Sequence, residues 1–253
     1  MARKKKVQLD KILVERGLAP ALRIARPLIM AGKVIVDDHM VDKPGTLVSP
    51  QSYIRLRDLP PPYASRGGEK LEKPLAIFNI SVTGRTVIDV GASTGGFTDC
   101  LLQKGASLVY TVDVGYGQLA WKLQKDKRVV NFERTNITKL KPKDIRPQPD
   151  LAVIDVSFTS LKKILPHVTG LLTPVGETLS LVKPQFEVEK GSVEKGGIVR
   201  DIKQYQKVIH DLVTFARTLS LHVIGIMESP IQGQKGNREF FMYMKKLNLA
   251  QLR

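Results

Sequence analysis

From residue 86 onward, short apolar runs alternate with stretches whose apolar positions recur at helical spacing. The runs 86–90, 108–113, 129–132, 151–155 and 177–182 read as strands. Residues 68–78, 96–104, 118–124, 160–172 and 202–218 read as helices. Two further extended runs, Leu221 to Met227 and Glu239 to Met244, flank a linker rich in turn formers and predict a closing hairpin. Strand–helix alternation implies a parallel sheet, and the closing pair an antiparallel edge. The expected fold is therefore α/β: a Rossmann-like, mostly parallel seven-stranded sheet with an edge hairpin.

The first 65 residues follow another pattern. Leu9, Ile12, Leu13 and Arg16 have helical spacing that Gly17 ends, and Ala21 to Met30 gives a second helix with Leu22, Ala25 and Ile29 inward. Short extended pieces follow at Val34 to Val36, Thr46 to Val48 and Tyr53 to Leu56, predicting a small α+β platform. Three consecutive prolines, Pro60 to Pro62, mark an extended connector. The expected division is 1–59, a linker at 60–66, and 67–253.

In a doubly wound sheet ligands bind outside the carboxyl ends of the strands. Asp89, Asp113, Asp155 and Lys183 all end apolar runs and should converge on that rim. The run Asp89-Val-Gly-Ala-Ser-Thr-Gly-Gly-Phe-Thr leads from a strand through a glycine-rich turn into a helix. Gly91, Gly95 and Gly96 suit a sharp turn approached closely by a ligand over a helix N-terminus. Asp113 follows 24 positions after Asp89, where a carboxylate can accept hydrogen bonds from a ribose. The G-x-x-x-G-G spacing differs from the dinucleotide fingerprint, and no lysine ends the loop as in a P-loop. S-adenosylmethionine fits best, needing a tight turn and a ribose carboxylate but no pyrophosphate cradle. Asp155 and Lys183 close apolar strands, where a charge must be paired or used. A lysine beside a carboxylate can orient or deprotonate a hydroxyl; a structural salt bridge is the alternative.

Composition then narrows the partner. Lys and Arg number 40 against 24 Asp and Glu, a net +16, which draws a chain to polyanions. Residues 1–65 alone carry 12 basic and 6 acidic side chains, counted along the sequence. Arg23, Arg26 and Lys33 should lie together as an RNA-backbone groove requires, with Arg3, Lys4, Lys5 and Lys6 as a basic arm. The single cysteine, Cys100, excludes an internal disulfide and reads as packing. His39, His167, His210 and His222 are scattered without ligand spacing, so no metal is expected. No apolar run reaches bilayer length and the N-terminus has no signal-peptide pattern; a cytoplasmic protein without stable membrane association is expected.

Seven segments in order resemble the TlyA family of ribosomal RNA cytidine 2'-O-methyltransferases, long labelled hemolysins. They are Tyr63-Ala-Ser-Arg-Gly-Gly-Glu-Lys-Leu71, the loop from Asp89 to Leu102, Asp113-Val-Gly-Tyr-Gly-Gln-Leu-Ala-Trp121, Glu133-Arg-Thr-Asn136, Asp155-Val-Ser-Phe158, Leu181-Val-Lys-Pro-Gln-Phe-Glu187, and Ser229-Pro with Gly236-Asn-Arg-Glu239. The resemblance spans nearly the whole chain. It implies an FtsJ-type methyltransferase domain after an S-four RNA-binding domain, acting on ribosomal RNA in ribosomal subunits. It also implies a catalytic tetrad of Lys70, Asp155, Lys183 and Glu239, with Lys183 acting on the ribose 2'-hydroxyl. Gly91, Ser93, Thr94, Gly95 and Gly96 fall to the methionine side of the cofactor, Asp113 to its ribose, Asn136 and Asp155 to the adenine and methyl-sulfonium regions, and Asp89 joins the cofactor-binding set. Arg66 joins the RNA-facing set. The chain departs from the family in Ala64, where valine is common, and in its proline-rich connector. Its short tail favours the large subunit as substrate, with the small subunit as the alternative. A noncatalytic assembly factor and a membrane-lysing toxin are the competing classes; the filled tetrad argues against the first and the absence of a membrane-inserting segment against the second.

Overall fold

The computed structural model describes residues 6–57, 61–188, 197–233 and 236–247. The chain divides into two compact units, Met1–Pro62 and Tyr63–Arg253.

In the smaller unit, strand β1 (Val7–Gln8) leads directly into helix α1 (Leu9–Glu15), and a turn at Gly17 precedes α2 (Leu22–Met30). Strands β2 (Val34–Val36), β3 (His39–Val41), β4 (Leu47–Val48) and β5 (Ile54–Leu56) follow. They form a three-stranded sheet in the order β3-β2-β5 and a separate β1–β4 pair, all antiparallel. Leu9, Ile12, Leu13, Ala25, Ile29, Val34 and Ile54 make the core. Leu22 is a correction to the sequence reading: it is exposed, because the small core ends before the first turn of α2, while Ala25 and Ile29 are fully buried. β1 and β3 were not foreseen; two- and three-residue strands are too short to show an alternating pattern.

The larger unit begins with α3 (Arg66–Ile77), capped by Ser65, whose Oγ accepts the Gly67 N–H. Next come β6 (Thr86–Val90), α4 (Gly96–Gln103), β7 (Leu108–Val112), α5 (Trp121–Gln124), β8 (Val129–Phe132), β9 (Leu151–Ile154), α6 (Leu161–Leu171), β10 (Glu177–Val182), α7 (Pro184–Glu187), α8 (Ile202–Thr218), β11 (Leu221–Glu228) and β12 (Phe240–Lys246). One seven-stranded sheet runs β11-β12-β10-β9-β6-β7-β8. β8, β7, β6, β9 and β10 are parallel, while β12 and β11 add antiparallel pairs at the edge. The expected fold class and its edge hairpin are both present.

Side chains alternate across the sheet, so each strand feeds two cores. Ile88, Val90, Ile154 and Val182 pack with α6 and α8 on one face. Val87, Val109, Val153 and Phe241 pack with α3 and α4 on the other, together with the buried Cys100. Burial pushes that thiol up to about 12, consistent with its packing role.

The helix expected over 118–124 is shorter, Trp121–Gln124. Residues ahead of it are drawn to the cofactor turn instead: the Ala120 N–H donates to Thr94 O at 3.2 Å, and Ser93 Oγ donates to Gln118 Oε1 at 3.3 Å.

At the opposite end of the sheet, Arg85 joins three strands. Its Nε donates to Asp150, its Nη1 to Glu177 Oε2 at 2.7 Å, and Lys245 pairs with Glu177 Oε1 at 2.8 Å. Burial raises the Glu177 carboxyl, but the bonds from Lys245 and Arg85 outweigh it and hold it below its ordinary range. A carboxylate so depressed stabilises the fold above its unfolded-state pKa, and the benefit is lost as pH falls through the folded value. Arg85→Met is expected to cost about 1–2 kcal/mol at neutral pH, the half-exposed setting limiting the effect. Urea unfolding at neutral and acidic pH checks this, since the deficit should shrink as the carboxylates protonate.

Candidate functional site

β6 begins the sheet, the chain winds to β7 and β8 on one side, then returns to β9 and β10 on the other. The crevice above β6 is therefore the switch point at which such sheets bind ligands.

The turn after β6 needs its glycines at two places. Gly91 has φ +86°, and a Cβ there would lie 2.4 Å from the Asp155 carbonyl oxygen. Gly95, the N-cap of α4, has φ +87° and presses against Leu119 and Leu123. Gly96 is required for a different reason: its Cβ would meet Ser65 Oγ at 2.2 Å, so it seats α4 against α3. Ser93 and Thr94 are exposed on the outer side of the turn.

Asp113 pins this turn to the loop after β7. Its Oδ2 accepts the Ser93 N–H at 2.8 Å and its Oδ1 the Gly115 N–H at 2.7 Å. The carboxylate is thereby fixed, and each oxygen keeps a second lone-pair direction for a hydroxyl donor. Asn136 lies at the end of the neighbouring strand connection, where its Oδ1 caps Thr138 N at 3.1 Å.

Asp89 behaves differently from the other strand-end acids. It sits inside β6, fully buried, with Oδ2 accepting from Thr98 Oγ1 at 2.6 Å. Its Oδ1 is buried with no protein partner. Burial pushes its carboxyl up to about 7, against the pull of Thr98 and with help from Asp155 and Asp113 nearby. An orphaned buried carboxylate oxygen is costly and calls for a donor.

The four tetrad residues form two ion pairs. Lys183 Nζ lies 2.6 Å from Asp155 Oδ1 and donates to Ser157 Oγ at 2.8 Å. Lys70 Nζ, from α3, lies 2.8 Å from Glu239 Oε2. Sheet register places the pairs side by side: Val182 faces Phe240, so Lys183 and Glu239 are the next residues on neighbouring strands. Lys70 and Glu239 are largely buried, with side chains 12% and 3% exposed, and Lys183 is 11% exposed. Such pairs are not solvated surface charges. The second oxygen of Glu239 lies against Gly233, where a Cβ would fall 2.0 Å from it.

Ser157, Phe158, Gly233 and Glu187 were not assigned roles from the sequence. Phe158 has φ +63° and is 87% exposed, its ring 5.1 Å from that of Phe186. A non-glycine residue held there costs about 1–3 kcal/mol and persists where surroundings impose it. The only sequence signal was its place three residues after Asp155, matching Phe186 three after Lys183.

Of the basic residues, Arg3, Lys4 and Lys5 lie outside the described residues. Lys6 and Arg23 are exposed. Arg26 bonds the buried Asp10 at 2.8 Å, so it has a structural duty as well. Lys33 is half-buried, and Arg66 opens α3 in the larger unit. Among the described residues, no group of three or more His, Cys, Asp or Glu could hold a metal, and no helix is long and apolar enough to cross a membrane.

A mostly parallel seven-stranded sheet with a glycine turn at its switch point is the fold of the methyltransferase class. Comparison with known proteins places it further. Residues 63–246 match the FtsJ-like methyltransferase model and residues 7–52 the S4 domain model. The chain belongs to the FtsJ-like methyltransferase family, with an S4 domain ahead of the catalytic unit. It is 44% identical over 246 residues to a Mycobacterium tuberculosis protein named 16S/23S rRNA (cytidine-2'-O)-methyltransferase TlyA, covering 97% of this chain and 91% of that one. A Campylobacter jejuni relative named 23S rRNA (cytidine-2'-O)-methyltransferase TlyA is 32% identical over 73% of this chain and 71% of its own length. A solved structure from Streptococcus thermophilus, described provisionally as a hemolysin, superposes with TM-score 0.76 at 42% identity over 97% of this chain and 90% of that chain.

Proposed function

We propose that this protein transfers a methyl group from S-adenosylmethionine to the 2'-hydroxyl of a cytidine in ribosomal RNA, with the large-subunit RNA as its substrate. The observation that carries the reading is the paired rim, Lys183 with Asp155 and Ser157 beside Lys70 with Glu239, standing over the glycine turn. Cytidine and the 2'-oxygen come from the names of both TlyA relatives, and 23S RNA is common to the two.

The residues fit the cofactor. Gly91 and Gly95 let the turn close tightly against Asp155 and Leu119 and leave Ser93 and Thr94 exposed, Asp113 is fixed for a ribose, and the orphaned Asp89 oxygen offers an acceptor for a cationic donor. Asn136 keeps its amide donors for the adenine side. When bound, S-adenosylmethionine supplies the electrophilic methyl, its carbon–sulfur bond breaking with the electron pair left on sulfur. The protein's part is placement and one proton. A lysine ammonium has three donors; Lys183 donates one to Ser157 and is held beside Asp155 by an ion pair, which leaves a donor to hold the ribose oxygen in line. As the oxygen–carbon bond forms, the hydroxyl proton becomes acidic; Lys183 gives one of its own protons to the Asp155 carboxylate and takes the ribose proton in its place, so the ammonium is restored and the proton leaves to solvent from the partly exposed Asp155. Glu239 holds Lys70, and that pair walls the rim from water. Phe158 offers its exposed ring as a stacking surface for a base turned out of its helix. Arg23, Arg26, Lys33, Arg66 and Lys6 supply phosphate contacts.

One consequence concerns Asp89. Between 3.8 and about 7 the folded protein holds a proton that the unfolded chain has released, so stability without cofactor falls as pH rises across that window. Asp89→Asn should therefore stabilise the cofactor-free protein at neutral pH, flatten this pH dependence and weaken S-adenosylmethionine binding about tenfold or more. Thermal unfolding across pH with calorimetric titration tests both halves. Unchanged affinity would remove Asp89 from the cofactor site.

The substrate is tested by methyl transfer from labelled S-adenosylmethionine to separated, unmodified ribosomal subunits. Label in the large-subunit RNA is expected. Label confined to the small subunit would reverse the subunit assignment, and cofactor binding without transfer to either would favour an assembly factor.

A further inference from the structure

Two loops build the Lys183 site, and a third group joins them. Residues 155–160, after β9, carry Asp155, Ser157 and Phe158. Residues 183–187, after β10, carry Lys183 and Phe186 and end at Glu187. Glu187 spans the gap between them: its Oε2 accepts from Ser160 Oγ at 2.6 Å, and its Oε1 accepts the Leu161 N–H at 2.7 Å. Both donors open α6, where the first N–H groups have no partner within the helix. The carboxylate thus sits on the positive end of an 11-residue helix. Burial pushes its carboxyl above the ordinary range, while Ser160 and the Leu161 N–H pull it back.

Above this tie the loops meet three more times, through Lys183 to Asp155, Lys183 to Ser157, and Phe158 to Phe186. Asp155 and Lys183 are anchored by the strands they follow. Ser157 and Phe158 are not, and Phe158 sits in the left-handed region, from which it would relax if released. The start of α6 holds the far side of that loop.

We propose that Glu187 is a positioning residue for methyl transfer: it ties the start of α6 to the Lys183 loop, so that Ser157 and Phe158 stay in register with Lys183. The inference rests on the methyltransferase reading above. Without this carboxylate the 155–160 loop loses its clamp, and Ser157 and Phe158 shift while Lys183, Asp155 and the cofactor turn remain. Turnover falls and cofactor affinity does not.

Single-turnover methyl transfer at saturating RNA and S-adenosylmethionine tests this, with rates expressed per folded molecule from parallel unfolding curves. Glu187→Ala should slow transfer about tenfold to a hundredfold, as sub-ångström misplacement does, with the cofactor Kd unchanged within about twofold. Glu187→Gln should stay within about threefold of the native rate, because its amide oxygen can accept the Leu161 N–H and its amide nitrogen can donate to Ser160 Oγ. The Phe158→Ala penalty should shrink in the Glu187→Ala background, since the two act through one loop. A native rate for Glu187→Ala would overturn the proposal. So would a glutamine variant as slow as the alanine one, which would give the charge itself a chemical role. Additive penalties, or equal losses of cofactor binding and rate, would also overturn it. A native protein that transfers no methyl to either subunit would instead sink the methyltransferase reading, and this inference with it.

Discussion

Lys183→Ala should lower the single-turnover rate of methyl transfer by about a thousandfold while leaving S-adenosylmethionine binding within a few fold of native. The side chain contacts both Asp155 and Ser157, and it stands at the C-terminal end of β10, which the parallel β9 and the antiparallel β12 fix on its two sides. Removing it takes away the donor that aims the ribose oxygen and the amine that relays its proton. It also leaves Asp155, with a side chain 23% exposed, without its counter-charge. Some destabilisation follows, but partial exposure lets water compensate, so the variant should remain folded. Lys183→Arg should not restore the rate. A planar guanidinium cannot direct three donors tetrahedrally and cannot give up a proton near neutrality. Rapid-quench transfer with calorimetric cofactor titration reads the two quantities separately. A variant that keeps more than a tenth of the native rate would remove Lys183 from the reaction.

Gly91→Ala is the second large effect. At φ +86° an L-residue is strained, at about 1–2 kcal/mol, before any contact is considered. The added Cβ would then lie 2.4 Å from the Asp155 carbonyl oxygen and 2.9 Å from its carbon, both backbone atoms that cannot swing aside. Either the turn after β6 opens or the end of β9 moves. The first removes the cofactor's seat, the second the carboxylate that pairs with Lys183. A total loss of about 2–4 kcal/mol in stability and a cofactor affinity weakened at least about tenfold are expected. Urea unfolding and cofactor titration of the same preparation measure both. Native affinity would show that the crevice above β6 is not where the cofactor sits.

How far the site was legible in the sequence follows from which forces each residue obeys. Strand periods and the glycine turn are local properties, so the sheet, the hairpin edge and Asp113 could be read from the chain. Asp155 and Lys183 declared themselves as charges closing apolar strands. Lys70 and Glu239 look like ordinary surface charges in sequence, and only family resemblance singled them out; their burial and 2.8 Å contact arise from α3 packing beside β12, 169 residues away. Asp89 looked like another rim acid, but strand alternation turns it inward with Val87 toward α4, where Thr98 meets it. Phe158 and Glu187 were missed because their roles need a left-handed backbone and a contact across 26 residues, neither of which has a local signature. The helix expected over 118–124 lost its first turn to Thr94 and Ser93, a tertiary demand that overrode propensity.

Alkaline hydrolysis of the labelled product shows whether this rim methylates a ribose oxygen. A 2'-O-methyl group blocks the hydroxyl that would attack the neighbouring phosphodiester. Label transferred by the native protein to unmodified ribosomal RNA should therefore appear in an alkali-resistant dinucleotide whose first nucleoside is cytidine. Label released in mononucleotides would mean methylation of a base, and would contradict the role assigned to Lys183 and its partners.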